Sequence, residues 1–374
     1  LWHMHQPEYR DRRSGAAHLP WTYLHAIKDY IDMAAHLESV PQARAVVNFT
    51  PILLEQLEDY IEQVTSYLEG HGAIRDPVLA ELAEPALPGN EQSRLRLMRE
   101  CLRANRERMI ERFEPYRQLA TMADWYGDNP RSLIYASNQF LADLLVWYHL
   151  SWMAESVQRE DGRIKRLRDK AVNFTLHERR ELLQIILEQL RSIVPRYREL
   201  AARGQVELCM SPYAHPIVPL LLDMNSAREA MPDAHLPVTT DYPGGEARTH
   251  WHIEQGLATF ERVFGCRPSG MWPSEGGVSQ ESLRVFADHG FRWVASGGSV
   301  LDNSHDAHSK SCSHRVYRFG DAAIDCVFRD DGLSDMIGFT YSDWHAKDAV
   351  ANLVGHMENI AEVCPDRNNC LITI

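Results

Sequence analysis

Several things are missing from this chain, and each absence removes a class of function. No run reaches 18 apolar residues, and the N-terminal stretch lacks the basic, apolar and small-residue order of a signal peptide. The expectation is a soluble, cytoplasmic protein with no membrane partner. Lys and Arg total 39 against 52 Asp and Glu, for a net charge of −13, and no basic run interleaved with aromatics occurs. A polyanion would be repelled, so nucleic acid is not expected as a partner. The seven cysteines are odd in number and scattered, with no C-x-x-C pair. Neither a disulfide framework nor a local zinc or redox pair follows, and reduced, mostly buried thiols are expected. No internal repeat or low-complexity tract stands out.

What is present is a long chain of 374 residues, 44% hydrophobic, enough for one large α/β barrel or two to three smaller domains. Short β-like runs adjoin segments of helical period. Arg44–Phe49 precedes a helical Leu53–Val64, Phe291–Ser296 follows an amphipathic Gln280–His289, and Ile324–Phe328 precedes Ser342–Val363. Gln205–Met210 adds another strand, and Glu246–Phe264 another helix after Tyr242-Pro243-Gly244-Gly245. Such alternation implies a parallel sheet or barrel. From about Asn90 to Arg203 the pattern is almost wholly helical, which reads as a helical insertion. Leu1-Trp2 and Leu371–Ile374 both look like pieces of strands, so the sequence is expected to be a fragment cut at both ends.

Four stretches carry candidate chemistry. In SGMWPSEGGVS, Ser269–Ser279, a short strand runs through Trp272 and Pro273 to lift Glu275 to a rim, where barrel enzymes hold catalytic groups; a solvated loop acid is the plain alternative. In Trp2–Pro7, His3 and His5 fall on one side of a strand by the two-residue period, suited to a metal or to sugar hydroxyls, or simply exposed. Glu207 alternates with Val206 and Leu208, so on an interior face it needs hydrogen-bonding partners, and on an exposed edge it needs none. Phe328–Asp335 places three carboxylates and Arg329 after an apolar strand. Asp331 reads as structural, while Asp330 and Asp335 stay open. Trp2, Tyr213, Trp272 and Trp344 lie in or beside these segments, as sugar stacking or as core.

Taken in order, His3–Pro7 (HMHQP), Gly204–Leu221, Tyr242–Glu254, Gly270–Ser279 and Phe328–Ser342 resemble glycoside hydrolase family 57, nearest its amylopullulanase and α-amylase-like branch. The resemblance implies a distorted, TIM-like (β/α)7-type barrel, one catalytic domain over 1–374 with a mainly helical insertion at 85–203, and no cofactor or metal. It also implies retaining action on α-glucans or maltooligosaccharides, at α-1,4 linkages with α-1,6 as a further option. By motif, Glu275 is the nucleophile, and His3, His5, Glu207, His215 and Trp272 are donor-subsite residues. Retention needs a second carboxyl about 5–5.5 Å away. In the relatives it is an aspartate just after a strand resembling Cys370–Ile374, so it is expected beyond residue 374 and the 374 residues are expected to turn over poorly. Asp330 is kept as a substrate-binding residue and the least unsuitable substitute. Two rivals remain: a metal-dependent barrel hydrolase, mannosidase- or deacetylase-like, using His3 and His5, and a non-catalytic glucan-binding relative.

Overall fold

Strands β1 (Trp2–Met4), β2 (Ala45–Phe49), β3 (Val206–Met210), β4 (Gly270–Met271), β5 (Trp293–Gly297), β6 (Val316–Arg318) and β7 (Asp325–Arg329) form one sheet in the order β1-β2-β3-β4-β5-β7-β6. Every neighbouring pair is parallel except β6 with β7. These coordinates come from a computed structural model that describes residues 1–11, 13–239, 242–304, 312–320, 323–364 and 366–374. Thr373 bridges Arg329 in parallel, and the Leu1 amino group donates to the Ile374 carbonyl at 2.6 Å. The last residues therefore stand between the edge strand β1 and the end of β7. Helices follow the strands, among them Pro51–Leu68, Gly245–Phe264, Gln280–Asp288 and Ala346–Val363. This is the expected α/β, (β/α)7-type distorted barrel, built from a curled, mainly parallel sheet.

By internal packing the chain divides into two units. One comprises Leu1–Pro7, Ala45–Leu54 and Val206–Ile374; the other comprises Glu8–Arg44 and Glu55–Gln205. The first holds the whole sheet. One face of that sheet packs on helix Gly245–Phe264: Phe49 meets Phe264 at 5.2 Å between ring centroids, and Met210 lies against Gly256. Alternation then puts His3, Asn48, Glu207 and Cys209 on the opposite face. The first position of the two-residue strand β4 tolerates only glycine. A Cβ on Gly270 would sit 1.9 Å from the Trp293 ring.

The second unit is helical, and the long helix Leu176–Ala202 begins with a capping box between Thr175 and Glu178. Its core contains Trp147, Tyr116, Tyr148 and Tyr197, all essentially buried. Buried Asp143 accepts from the amides of Asn173 and Phe174, each at 2.9 Å, and so holds the turn ahead of that helix. None of the seven cysteines is in a disulfide, and only Cys101, Cys209 and Cys326 are buried, while Cys266 is exposed. The expectation of mostly buried thiols fails because Cys266 lies in the turn after a helix and Cys312, Cys364 and Cys370 lie in connecting segments. No helix among the described residues is long and apolar enough to cross a membrane.

Candidate functional site

His3 closes β1 from within, His5 follows β1, Thr50 follows β2, Ser211 follows β3 and Trp272 follows β4. In parallel strands these positions fall at one end of the sheet, the carboxyl end, where loops rather than ladder bonds set the side chains. Three imidazoles gather there. His5 and His215 stack at 4.0 Å with planes 22° apart, and His3 lies 5.5 Å from His5 and 5.3 Å from His215. Trp272 tilts toward His3 at 6.1 Å. Residues on β2 and just past it hold two of the rings: His3 Nδ1 contacts Asn48 Oδ1 at 2.6 Å, and His5 Nδ1 contacts Thr50 Oγ1 at 3.1 Å.

Burial, more than repulsion between the rings, disfavours the charged form of all three imidazoles. Burial, then His5 and His3, lower the pKa of His215 to about 3. Burial, then His3, bring His5 to about 4. His3 is reached by solvent at one edge, yet protein atoms crowd the rest of its ring. That crowding lowers its pKa, against a smaller upward pull from Glu275. At neutral pH they act as dipoles and hydrogen-bonding walls.

Glu275 stands beside the stack, its carboxylate 3.9 Å from His215 Nδ1 and its side chain 76% exposed, while His215 is 8% exposed. Its backbone is unusual. Glue between sheet and loop comes from Ser296, whose hydroxyl donates to the Gly276 carbonyl at 2.6 Å, and from Ser211, whose hydroxyl donates to the Trp272 carbonyl at 2.7 Å. Between those anchors Glu275 takes φ 56° and Gly276 takes φ 68°. Among the described residues only four non-glycine residues have positive φ, and His215 (59°) and Glu275 are two of them. A side chain pays for that conformation, and such strain concentrates where function fixes the geometry. The turn aims the carboxylate outward rather than into the loop. His215 Nε2 is buried without a partner, so its proton is better placed on Nδ1, facing Glu275.

Glu207 is not part of this gathering. It lies on the same face of the sheet but four residues before Ser211, about 13 Å along the strand. Its carboxylate accepts from the Trp293 indole at 2.7 Å and from the Ser269 hydroxyl at 2.8 Å. Asp330 caps helix Asp331–Gly338, accepting from the Leu333 amide and from His314. Burial alone would raise its pKa, but the Leu333 amide and the His314 imidazole together hold it below the usual value. A general acid needs the reverse. Arg329 pairs with Asp331, which also accepts from the Ser299 amide, and Asp335 is exposed on the helix. Of the four aromatics singled out by sequence, Trp272 tilts toward His3, Tyr213 packs on Trp251 and Trp344 on Tyr341.

Sequence reasoning missed Asn48 and Thr50. The signal was available, because two polar residues two apart at the end of an apolar strand share a face and a rim. As for metals, the three rings stack face to face, with two of their nitrogens committed to Asn48 and Thr50. Among the described residues no group of three or more His, Cys, Asp or Glu is placed to hold an ion. A cavity of about 410 Å³ in the same unit, lined by Leu283, Val294, Leu301 and Phe328, includes the anchor Ser296 but neither Glu275 nor any of the three histidines. The site can therefore press a neutral, hydroxyl-bearing ligand between imidazole and indole surfaces beside an exposed carboxylate.

A family model for glycosyl hydrolase family 57 matches residues 1–374. No curated protein matches the chain. Among solved structures it is similar to a family 57 branching enzyme from Pyrococcus horikoshii, with 17% identity, TM-score 0.42, and coverage of 89% of this chain and 46% of that one. It is also similar to the α-amylase AmyC from Thermotoga maritima, with 14% identity, TM-score 0.45, and coverage of 90% and 46%. A family 57 branching enzyme from Thermococcus kodakaraensis, in complex with glucose, gives 16% identity, TM-score 0.44, and coverage of 92% and 48%. The chain thus spans less than half the length of each of these relatives.

Proposed function

We propose that the chain, which belongs to glycosyl hydrolase family 57, acts on α-glucans as a retaining glycosidase or transglycosidase with Glu275 as its nucleophile. The observation that carries the proposal is the strained, exposed carboxylate of Glu275 held 3.9 Å from the neutral His215 ring. A carboxylate oxygen attacks the anomeric carbon as the bond from that carbon to the leaving oxygen breaks. The bonding electrons go to the leaving oxygen, which takes a proton from a general acid. Water or a sugar hydroxyl then attacks the same carbon of the resulting ester, giving its proton to the group that served as general acid and releasing Glu275 as a carboxylate. His3, His5 and His215 supply neutral hydrogen-bonding edges to the sugar, and Trp272 supplies an apolar face for its C–H groups. Linkage preference, α-1,4 with or without α-1,6, belongs to the same proposal, as does the amylopullulanase-like assignment.

The test is stereochemical. An α-glucosyl fluoride loses fluoride without needing a proton, so its cleavage reports the nucleophilic half of the reaction alone. NMR of the first sugar released is expected to show the α-anomer, and Glu275→Gln is expected to lower the rate by at least about a thousandfold. A β-anomer as first product would overturn the double-displacement reading.

A further inference from the structure

Asn48 is fully buried at the base of the histidine stack, and its amide touches three groups. One end of the amide meets His3 Nδ1 at 2.6 Å and the Ser211 hydroxyl at 3.2 Å. The other end, buried with no hydrogen-bond partner as Nδ2, points to the strand neighbour side, where Cys209 is the register partner of Asn48. The Cys209 thiol is within reach of that amide, and burial pushes the thiol up to about 12, so it keeps its hydrogen at any working pH.

Counting hydrogens decides which end of the amide faces His3. Ser211 has one hydroxyl hydrogen, and its short contact of 2.7 Å with the Trp272 carbonyl consumes it. Toward Asn48 the Ser211 oxygen must then accept, so the atom facing it has to be the amide nitrogen. That NH2 has two hydrogens, one for Ser211 and one for His3 Nδ1. A half-turn of the amide also brings its oxygen to the Cys209 side, where a protonated thiol can donate to it. The opposite orientation leaves the buried NH2 facing only the Cys209 sulfur, a weak acceptor, and asks one Ser211 hydrogen to serve two acceptors.

We propose that Asn48 is a positioning residue that donates to His3 Nδ1 and thereby locks His3 as the neutral tautomer with its proton on Nε2, presenting a hydrogen-bond donor at the exposed edge of the ring. The group this edge recognises is an acceptor oxygen, such as a hydroxyl or ring oxygen of the sugar; that part rests on the glucan reading above, while the tautomer does not. A ring with an acceptor at this edge would select a different hydroxyl orientation, so the amide of Asn48 sets part of the specificity without touching substrate. Ser211 and Cys209 complete the device by fixing which way the amide points.

The experiment is nitrogen-15 NMR of the protein labelled at histidine, with the His3 signals identified by their loss in His3→Gln. At pH 7 the expected result is a directly protonated Nε2 and an unprotonated Nδ1 on His3. Replacing Asn48 by Asp puts an obligate acceptor beside Nδ1, so in Asn48→Asp the pattern is expected to invert or the ring to become doubly protonated. A proton on Nδ1 in the unmodified protein overturns the proposal, as does an unchanged His3 pattern in folded Asn48→Asp. If that variant does not fold, the unmodified spectrum still decides. Because the readout needs no turnover, a failed tautomer and a failed glycosidase assignment remain distinguishable.

Discussion

Glu275 combines two properties that rarely coincide, an exposed carboxylate and a left-handed backbone. Holding a residue with a Cβ at φ 56° costs about 1–2 kcal/mol, a cost glycine escapes. Were the glutamate an ordinary loop acid, nothing in the turn would favour keeping it there. Glu275→Gly is therefore expected to be more stable than Glu275→Ala by about 1 kcal/mol in urea denaturation, while both lose activity on α-glucans. Equal stabilities would mean that the turn relaxes once the side chain is gone, and the strain argument would fail.

At the scale of elements, Asp330 shows how a carboxylate in a catalytic-looking segment can be explained by helix geometry. It closes the exposed amides at the start of Asp331–Gly338 and bonds His314. Asp330→Ala is expected to cost about 1 kcal/mol of stability, the usual loss of an N-cap. It is expected to leave the stereochemistry of any product unchanged. A loss of activity far beyond the loss of stability would return Asp330 to the chemistry.

The strands were the most legible elements. Arg44–Phe49, Gln205–Met210, Phe291–Ser296 and Ile324–Phe328 each lie within two residues of β2, β3, β5 and β7, because buried parallel strands write continuous apolar runs. The three-residue β6 carries no such run: Val316 and Arg318 are exposed, and pairing with β7 rather than burial makes it a strand. At the site, the two-residue period brought His3 and His5 together correctly. It could not reveal that His215 joins them or that Glu207 sits at the other end of its strand, because neither loop path nor depth along a strand is encoded in alternation. The positive φ of Glu275 was hidden for a similar reason, since it arises from anchors at Ser296 and Ser211 that are remote in sequence.

At the scale of the whole molecule, buried neutral histidines tie stability to pH. His149 is completely buried, with Nδ1 donating to the Leu145 carbonyl and Nε2 bonded to the Tyr23 hydroxyl, and burial brings its pKa to about 4. His5 and His215 are lowered in the same direction, to about 4 and about 3. Below about pH 6.5 the unfolded chain takes up protons at these positions and the folded protein does not, so stability falls with pH. The loss is expected between about pH 6.5 and 4, on the order of 3 kcal/mol for the fully buried His149 alone. Urea midpoints measured across that range test it. A His149→Gln variant should show a shallower slope even where its absolute stability is lower, and an unchanged slope would remove His149 as a source.

The central claim is that one particular carboxylate forms the bond to sugar, and a trapped intermediate tests it most directly. A 5-fluoro-α-glucosyl fluoride supplies a leaving group that departs unassisted, and its fluorine slows breakdown of the ester. Peptide mapping by mass spectrometry after incubation is expected to place one glycosyl group on Glu275, absent from Glu275→Gln. An ester on another carboxylate, or none at saturating reagent, would contradict the account.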